Sequence, residues 1–253
     1  MPVRYRVLSL DLHDTVVWDT RAIVDAQYAV RLELLAKALR GPDGREVPLE
    51  ELRRSRAALQ VKWASEGRSP ETIPLSSQVE AIRLSMEAQY FGDVSKVVRQ
   101  YADGGLREHP SQLNPEAQTL VRLLNQMAFP VIVLTNTSRS GSSWMSFLED
   151  VGGIRLTDVI ASTDVGACKP DVRMFQEVIR RAGVSPAEIL HVGDSWTLDV
   201  EGARHSGLGA ALYRGLWSHS WDPEKLVEPV SSSDPSVPCL DDLSEVRALL
   251  GIA

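Results

Sequence analysis

Three short apolar runs in this chain each break off at a polar group. Val7-Leu8-Ser9-Leu10 stops at Asp11, Pro130-Val131-Ile132-Val133-Leu134 stops at Thr135-Asn136, and Ile189-Leu190-His191-Val192 stops at Gly193-Asp194. Runs of this length, bounded by turn-forming residues, read as buried strands. Stretches with helical spacing separate them, and strands alternating with helices predict a parallel sheet covered on both faces. Loops at the carboxyl ends of such strands open onto one crevice. Asp11, Thr135-Asn136 and Asp194 are therefore expected to be neighbours.

The intervening pattern is coarser. Ile23, Ala26, Val30 and Leu34 fall on one helical face, as do Val79, Ile82 and Met86, and Val94, Val97 and Tyr101; Leu52, Leu59 and Trp63 fit less well. No useful strand alternation occurs between about residues 20 and 110, which predicts an all-α region inserted after the first strand. Asn114-Pro115-Glu116 reads as a helix start, with an N-cap, a proline at the first helical position and an early acid. Val159-Ile160-Ala161 reads as a strand, and Asp171 to Ala182 as a helix whose inner face holds Phe175, Val178, Ile179 and Ala182, with Gly183 at its end. A helix is expected from about Thr197 to Gly207, a strand at Ala210 to Tyr213 and a final short helix at Leu243 to Leu250.

Composition narrows the classes of function. The 253 residues carry 27 basic and 34 acidic side chains, a net charge of −7. That balance argues against non-specific nucleic-acid binding or a polybasic membrane contact as the main role. The apolar run after Met1-Pro2-Val3-Arg4-Tyr5-Arg6 is too short for a signal segment, and no later run approaches bilayer length. Two cysteines, Cys168 and Cys239, build neither a disulfide framework nor a four-cysteine zinc site, so the cytoplasm is the expected compartment. Lysine is scarce: Lys37, Lys62, Lys96, Lys169 and Lys225. The segment from about Ser218 to Pro238 is rich in proline and serine and suggests no function.

Several carboxylates in one crevice repel one another unless a cation lies between them. Asp11, Asp14, Asp194 and Asp199 are such a set, and an all-oxygen group favours Mg²⁺. Lys169 adds a fixed positive charge, and Thr135 with nearby backbone N–H groups can donate to phosphoryl oxygens. A carboxylate in line with phosphorus can attack it and form an aspartyl-phosphate. Taken singly these residues are ordinary, since aspartate after a strand is commonly a cap or a turn residue. Their joint occurrence at successive strand ends carries the weight.

Asp11-Leu12-His13-Asp14-Thr15, Thr135-Asn136, Lys169-Pro170 and Gly193-Asp194-Ser195 with Asp199 resemble the four motifs of the haloacid dehalogenase-like superfamily. The stretch from Ser162-Thr163-Asp164-Val165-Gly166 to Gly207 is especially similar. The resemblance implies an α/β fold, a Rossmann-like three-layer core with a parallel sheet plus an inserted α-helical (C1-type) cap. Residues 1–18 and 106–253 would form the core and 19–105 the cap. It further implies a Mg²⁺-dependent hydrolase, a phosphatase acting on a small phosphorylated metabolite. Asp11 would be nucleophile and metal ligand. Thr135 and the Asn136 backbone would bind the phosphoryl group, and Lys169 would neutralise charge. Asp194 would hold Mg²⁺, with Asp199 beside it or behind it. Neither nucleic acid nor membrane is an expected partner, and the chain is expected as a monomer or homodimer.

The family's phosphatases usually carry a second aspartate where this chain has His13. The metal ligand at that position is a backbone carbonyl, which His13 also supplies. Three readings stay open. The imidazole, titrating near neutrality, replaces the aspartate as acid and base. Alternatively the substrate has a good leaving group, or the reaction is not phosphate-ester hydrolysis. In the last reading the fold binds a ligand or partner with little or no turnover. A metal-independent dehalogenase on the same scaffold is the alternative enzyme. His191, inside a strand, reads as structural, while His109, His205 and His219 form no zinc pattern. Trp18 is a candidate for the crevice entrance against a plain packing role. Arg139, just after the second motif, is a better candidate for substrate contact than the cluster Arg53, Arg54 and Arg56, which reads as a solvated helix face.

Overall fold

The computed structural model describes residues 5–68, 70–215 and 234–252. His219, Lys225 and most of the proline- and serine-rich segment fall outside them. In chain order the strands are β1 (Val7–Leu10), β2 (Val17–Trp18), β3 (Leu39–Arg40), β4 (Gln89–Tyr90), β5 (Gln112–Leu113), β6 (Val131–Thr135), β7 (Asp158–Ala161), β8 (Ile189–Gly193), β9 (Gly209–Tyr213) and β10 (Cys239–Leu240). The helices are α1 (Arg21–Ala38), α2 (Leu49–Ser65), α3 (Leu75–Ser85), α4 (Val94–Asp103), α5 (Pro115–Gln126), α6 (Gly141–Asp150), α7 (Ser162–Val165), α8 (Val172–Ala182), α9 (Gly202–His205) and α10 (Val246–Leu250).

Among the described residues, six strands form one parallel sheet in the order β10-β9-β8-β1-β6-β7. Side chains alternate between its faces. Leu8 and Leu10 join Val131, Val133, Leu190 and Val192 in a core with Leu120 and Leu124 of α5 and Phe147 of α6. Val7, Ile132, Leu134 and Ile189 pack on the other face with Met174, Phe175 and Val178 of α8 and Ala203 of α9. This is the three-layer α/β arrangement expected from the alternation. Asn114 caps α5, its side-chain oxygen accepting from the Glu116 N–H at 3.0 Å, with Pro115 at the first helical position.

Helices α1 to α4 build a separate apolar cluster from Leu32, Leu35, Leu52, Val79, Ile82, Val97 and Tyr101. The chain leaves the sheet through β2 and returns through β5, which pair antiparallel (Val17 with Leu113, Trp18 with Gln112) and clamp the two crossings together. The region is not wholly helical: β3 and β4 pair antiparallel, Leu39 with Tyr90 and Arg40 with Gln89. Two residues per strand are too few to show alternation.

Helix α1 also turns differently from its apolar spacing. Its buried residues are Gln27, Arg31, Leu32 and Leu35, while Ile23, Ala26, Val30 and Leu34 are only half-buried. The polar part of that buried face looks into a cavity. The helix expected from Thr197 begins one residue earlier as a wide π-helical turn, Trp196–Glu201, before α9. Helix α6 and strand β10 lie outside the sequence-based expectations.

Candidate active site

Strand β1 ends at Asp11, whose backbone N–H is held by the carbonyl of Val192 in the adjacent β8 at 2.9 Å. The chain then curls tightly: the N–H groups of Val16 and Val17 both donate to the Leu12 carbonyl at 2.8 Å. Asp14 sits in this curl with φ of 59°, a left-handed conformation that Gly, Asn and Asp tolerate best. His13 is thereby turned into the cavity, edge-on to Trp144 with ring centroids 5.3 Å apart.

The carboxylates of Asp11, Asp194 and Asp199 come together at the strand ends. One oxygen from each lies within 4.8 Å of the others, and all three residues are buried. Lys169 reaches into the group, donating to Asp11 Oδ1 and, at 2.6 Å, to Asp199 Oδ1. Burial opposes the charge on Lys169, but the Asp11 and Asp199 carboxylates outweigh it and hold the ammonium above its ordinary range. For Asp199, burial favours protonation, yet Lys169 and a hydrogen bond from His191 hold the carboxyl well below its ordinary range. Lys169 and Asp199 are therefore both charged near neutral pH.

The backbone of Lys169 is held by Asn136. Asn136 Oδ1 accepts from the Lys169 N–H at 2.8 Å, and its Nδ2 donates to the Lys169 carbonyl at 3.2 Å. Thr135, at the end of β6, is fully buried, and its hydroxyl has no protein partner although the residue lines the cavity. Such a hydroxyl is a donor held in reserve for a ligand.

His191 belongs to the site, although as a lone strand histidine it reads as packing. Ser9 and His191 are register partners in β1 and β8. Ser9 Oγ lies 2.9 Å from His191 Nδ1, and His191 Nε2 lies 3.1 Å from Asp199 Oδ1. An ionised carboxylate only accepts, so Nε2 carries a proton, and Nδ1 shares a hydrogen bond with the serine hydroxyl. The line Ser9–His191–Asp199–Lys169–Asp11 thus runs from the sheet face to the crevice. Asp199 is also held by the Ser195 N–H at 3.0 Å on its other oxygen, so both its oxygens are engaged by protein groups. Gly193 makes this possible, because a Cβ there would overlap the Asp199 carboxyl group. A polar residue in each of two otherwise apolar strands was the signal for this pair.

The cavity has a volume of about 370 Å³. The described carboxylates at its floor supply only oxygen donors, the set Mg²⁺ prefers. Asp19 is buried in the same wall; its Oδ2 accepts from Ser111 Oγ at 3.1 Å and its Oδ1 has no partner. Burial pushes its carboxyl up, only partly offset by His13.

Arg139 lines the cavity, but its guanidinium donates to the Ala102 carbonyl, to Gly104 O at 3.2 Å and to Gln27 Oε1 at 3.1 Å. It therefore ties the sheet-end loop to α1 and to the end of α4. Arg53 and Arg54 are exposed on α2, whereas Arg56 stacks on Tyr28 at 3.8 Å from the ring centroid. Trp18 packs against the main core, and the tryptophan in the cavity wall is Trp144. Cys168 and Cys239 are free thiols, and among the described residues no helix is long and apolar enough to cross a membrane.

Residues 5–207 match the family profile described as haloacid dehalogenase-like hydrolase. A phosphoserine phosphatase of Thermus thermophilus is 29% identical over 240 residues, 87% of this chain and 92% of that protein. A glyceraldehyde 3-phosphate phosphatase of Methanothermobacter thermautotrophicus is 31% identical, but over 37% of this chain and only 39% of its own length. Among solved structures, a 2-haloacid dehalogenase from Pseudomonas syringae superimposes with a TM-score of 0.62 at 21% identity, covering 98% of both chains. A phosphatase from Thermococcus onnurineus does so with a TM-score of 0.57 at 18% identity, covering 97% of this chain and 98% of the other. At such identities the two structures speak for the fold alone.

Proposed function

The chain belongs to the haloacid dehalogenase-like hydrolase family, and from that premise we propose that it is a Mg²⁺-dependent phosphatase of a small phosphorylated metabolite. The observation that carries this reading is Asp11 accepting from Lys169, with Asp194 and Asp199 within 4.8 Å and an unpartnered Thr135 hydroxyl in the same cavity. The T. thermophilus relative, named a phosphoserine phosphatase, supports it.

In this reading a carboxylate oxygen of Asp11 attacks phosphorus, and the bond from phosphorus to the alcohol oxygen breaks with its electron pair leaving on that oxygen. His13 supplies the proton the alkoxide needs. Water then attacks phosphorus of the aspartyl-phosphate and gives a proton to His13, releasing phosphate and restoring Asp11. Lys169 keeps Asp11 ionised and aimed, while Asn136 fixes Lys169. Thr135 and the Asn136 backbone donate to phosphoryl oxygens. Asp11, the His13 backbone carbonyl and Asp194 would hold Mg²⁺, with Asp199 steadying the group. A bound Mg²⁺ supplies positive charge against the phosphoryl oxygens. Residues 19–105 act as a cap over a core of residues 1–18 and 106–253, and closure excludes water. Two free cysteines support a reducing, cytoplasmic setting, and the assembly we propose is a monomer or homodimer.

The test is a phosphatase screen with Mg²⁺ across sugar phosphates, nucleotides and acyl phosphates, with Asp11→Asn as control. Turnover lost in Asp11→Asn supports the reading; equal turnover in the two proteins overturns it. One observation favours a second reading, metal-independent dehalogenation: His13 stands where a second aspartate is usual in the family's phosphatases. Chloride release from haloacids that persists in EDTA would select it.

A further inference from the structure

The cavity is bipolar. The carboxylates and Lys169 line it from the sheet ends, and Gln27, Tyr28 and Arg31 line it from α1 together with Arg139, with Asp19 and Glu71 also in the lining. Arg31 is only 3% exposed. Its Nε has no hydrogen-bond partner, and Nη2 makes a long bond of 3.4 Å to the Ala102 carbonyl. No carboxylate forms an ion pair with Arg31 or Arg139 among the described residues. Both guanidiniums reach the same carbonyl oxygen, so two like charges are buried side by side. Asp103 and Asp19 attract Arg139 only from beyond ion-pair distance. The carbonyls that end α4 offset part of the charge through the helix dipole.

Burial is the largest influence on both guanidiniums and weakens their hold on the proton; Arg31 adds repulsion at Arg139. Buried charges are ordinarily paired, and breaking such pairs is costly. The two arginines nevertheless differ. Arg139 spends its donors on the Ala102 and Gly104 carbonyls and on Gln27. Arg31 lies against the rings of Tyr28 and Tyr101, at 5.4 and 5.7 Å from their centroids, with one nitrogen unsatisfied. A buried guanidinium beside aromatic rings and lacking an acid partner is pre-organised for an oxyanion.

We propose that Arg31, braced by Arg139, forms an anion subsite at the far end of the cavity, so that the substrate is a phosphomonoester whose alcohol portion carries a second anionic group, a carboxylate or a further phosphoryl group. The proposal rests on the phosphatase reading for the phosphoryl end alone. The phosphoryl group sits at Asp11, the second anion meets the Arg31 edge, and Gln27 and Tyr28 line the path between them. Cap-side binding energy then selects against neutral or cationic phosphate esters of similar size.

The experiment is calorimetric titration of the protein in Mg²⁺ buffer with non-hydrolysable probes. ω-Phosphono-carboxylates of increasing chain length are compared with alkylphosphonates of equal length, and alkylene bisphosphonates form a third arm. At one chain length the carboxylate or the second phosphonate raises affinity by about tenfold or more, and the better arm identifies the second group. Arg31→Gln abolishes the difference while leaving alkylphosphonate affinity unchanged, and Arg31→Lys, which keeps the charge, retains part of it. Equal affinity of the series at every length, no binding of any probe, or a difference that survives in folded Arg31→Gln overturns the proposal. Hydrolysis of matched phosphate esters is measured separately. Turnover without a preference for the second anion sinks the subsite alone. A preference in binding without hydrolysis of any phosphate ester sinks the phosphatase reading alone.

Discussion

Replacing Lys169 by methionine removes the cation that two buried carboxylates share. The Lys169, Asp11 and Asp199 side chains are 2%, 7% and 1% exposed. Stranding a buried charge by removing its partner costs about 3–5 kcal/mol. Here two carboxylates are stranded, so at pH 7 the variant should lose at least about 3 kcal/mol. In the wild type Asp199 is held well below its ordinary value of 3.8. Its stabilising contribution is therefore present above that value and lost only as pH falls through the lower folded one. Without Lys169, burial becomes the dominant influence on Asp199 and raises its pKa above the unfolded value. The variant's native state then takes up protons that the unfolded chain does not, and stability rises on acidification. The gap between variant and wild type should narrow from pH 7 to pH 5. The assay is equilibrium urea unfolding at both pH values in EDTA, with Lys169→Met/Asp199→Asn recovering part of the loss. A loss under about 1 kcal/mol at pH 7, or one that widens on acidification, refutes the account of the cluster.

Other outcomes follow from the same geometry. His13→Ala should slow turnover about a hundredfold and flatten the pH–rate profile, with His13→Asp restoring part of the rate; an unchanged profile in His13→Ala removes His13 as proton carrier. His191→Leu orphans the Ser9 hydroxyl and one bond to Asp199, so urea unfolding should show a loss of about 1–3 kcal/mol, and kcat should fall more than KM changes. Gly193→Ala pushes Asp199 off its Ser195 contact, so kcat falls in a protein whose circular dichroism is unaltered. Asp19→Asn removes a carboxylate whose pKa burial raises. Asp19→Asn should therefore melt higher than wild type at pH 8, where Asp19 is ionised at a cost to the fold, with the difference shrinking as pH falls through the raised folded pKa.

The floor of the site was legible because strand ends impose adjacency. Once Val7–Leu10, Pro130–Leu134 and Ile189–Val192 are recognised as parallel strands, Asp11, Thr135 and Asp194 have few other places to go. Lys169 stood out through the scarcity of lysine and its motif. The roof was not legible, for a physical reason. Apolar periodicity assigns polar helix residues to solvent, and Gln27 and Arg31 are polar residues on a face that looks into a cavity. The place of Arg139 after Thr135-Asn136 marks it as a candidate, yet which donors a guanidinium spends depends on helices far away in sequence. Ser9 and His191 were visible as polar interruptions of apolar strands. Only the β1–β8 register joins them, and only the turn at Ser195 brings Asp199 to the imidazole.

The central claim is that Asp11 is the nucleophile of a phosphoryl transfer. Its most direct test is acid quenching of the protein during turnover of the best ester from the screen, followed by mass analysis of the peptide containing Asp11. A fraction of that peptide should be heavier by one phosphoryl group, labile to hydroxylamine and missing in Asp11→Asn. Steady release of phosphate with no such species in the wild type, or with turnover retained by Asp11→Asn, would contradict it.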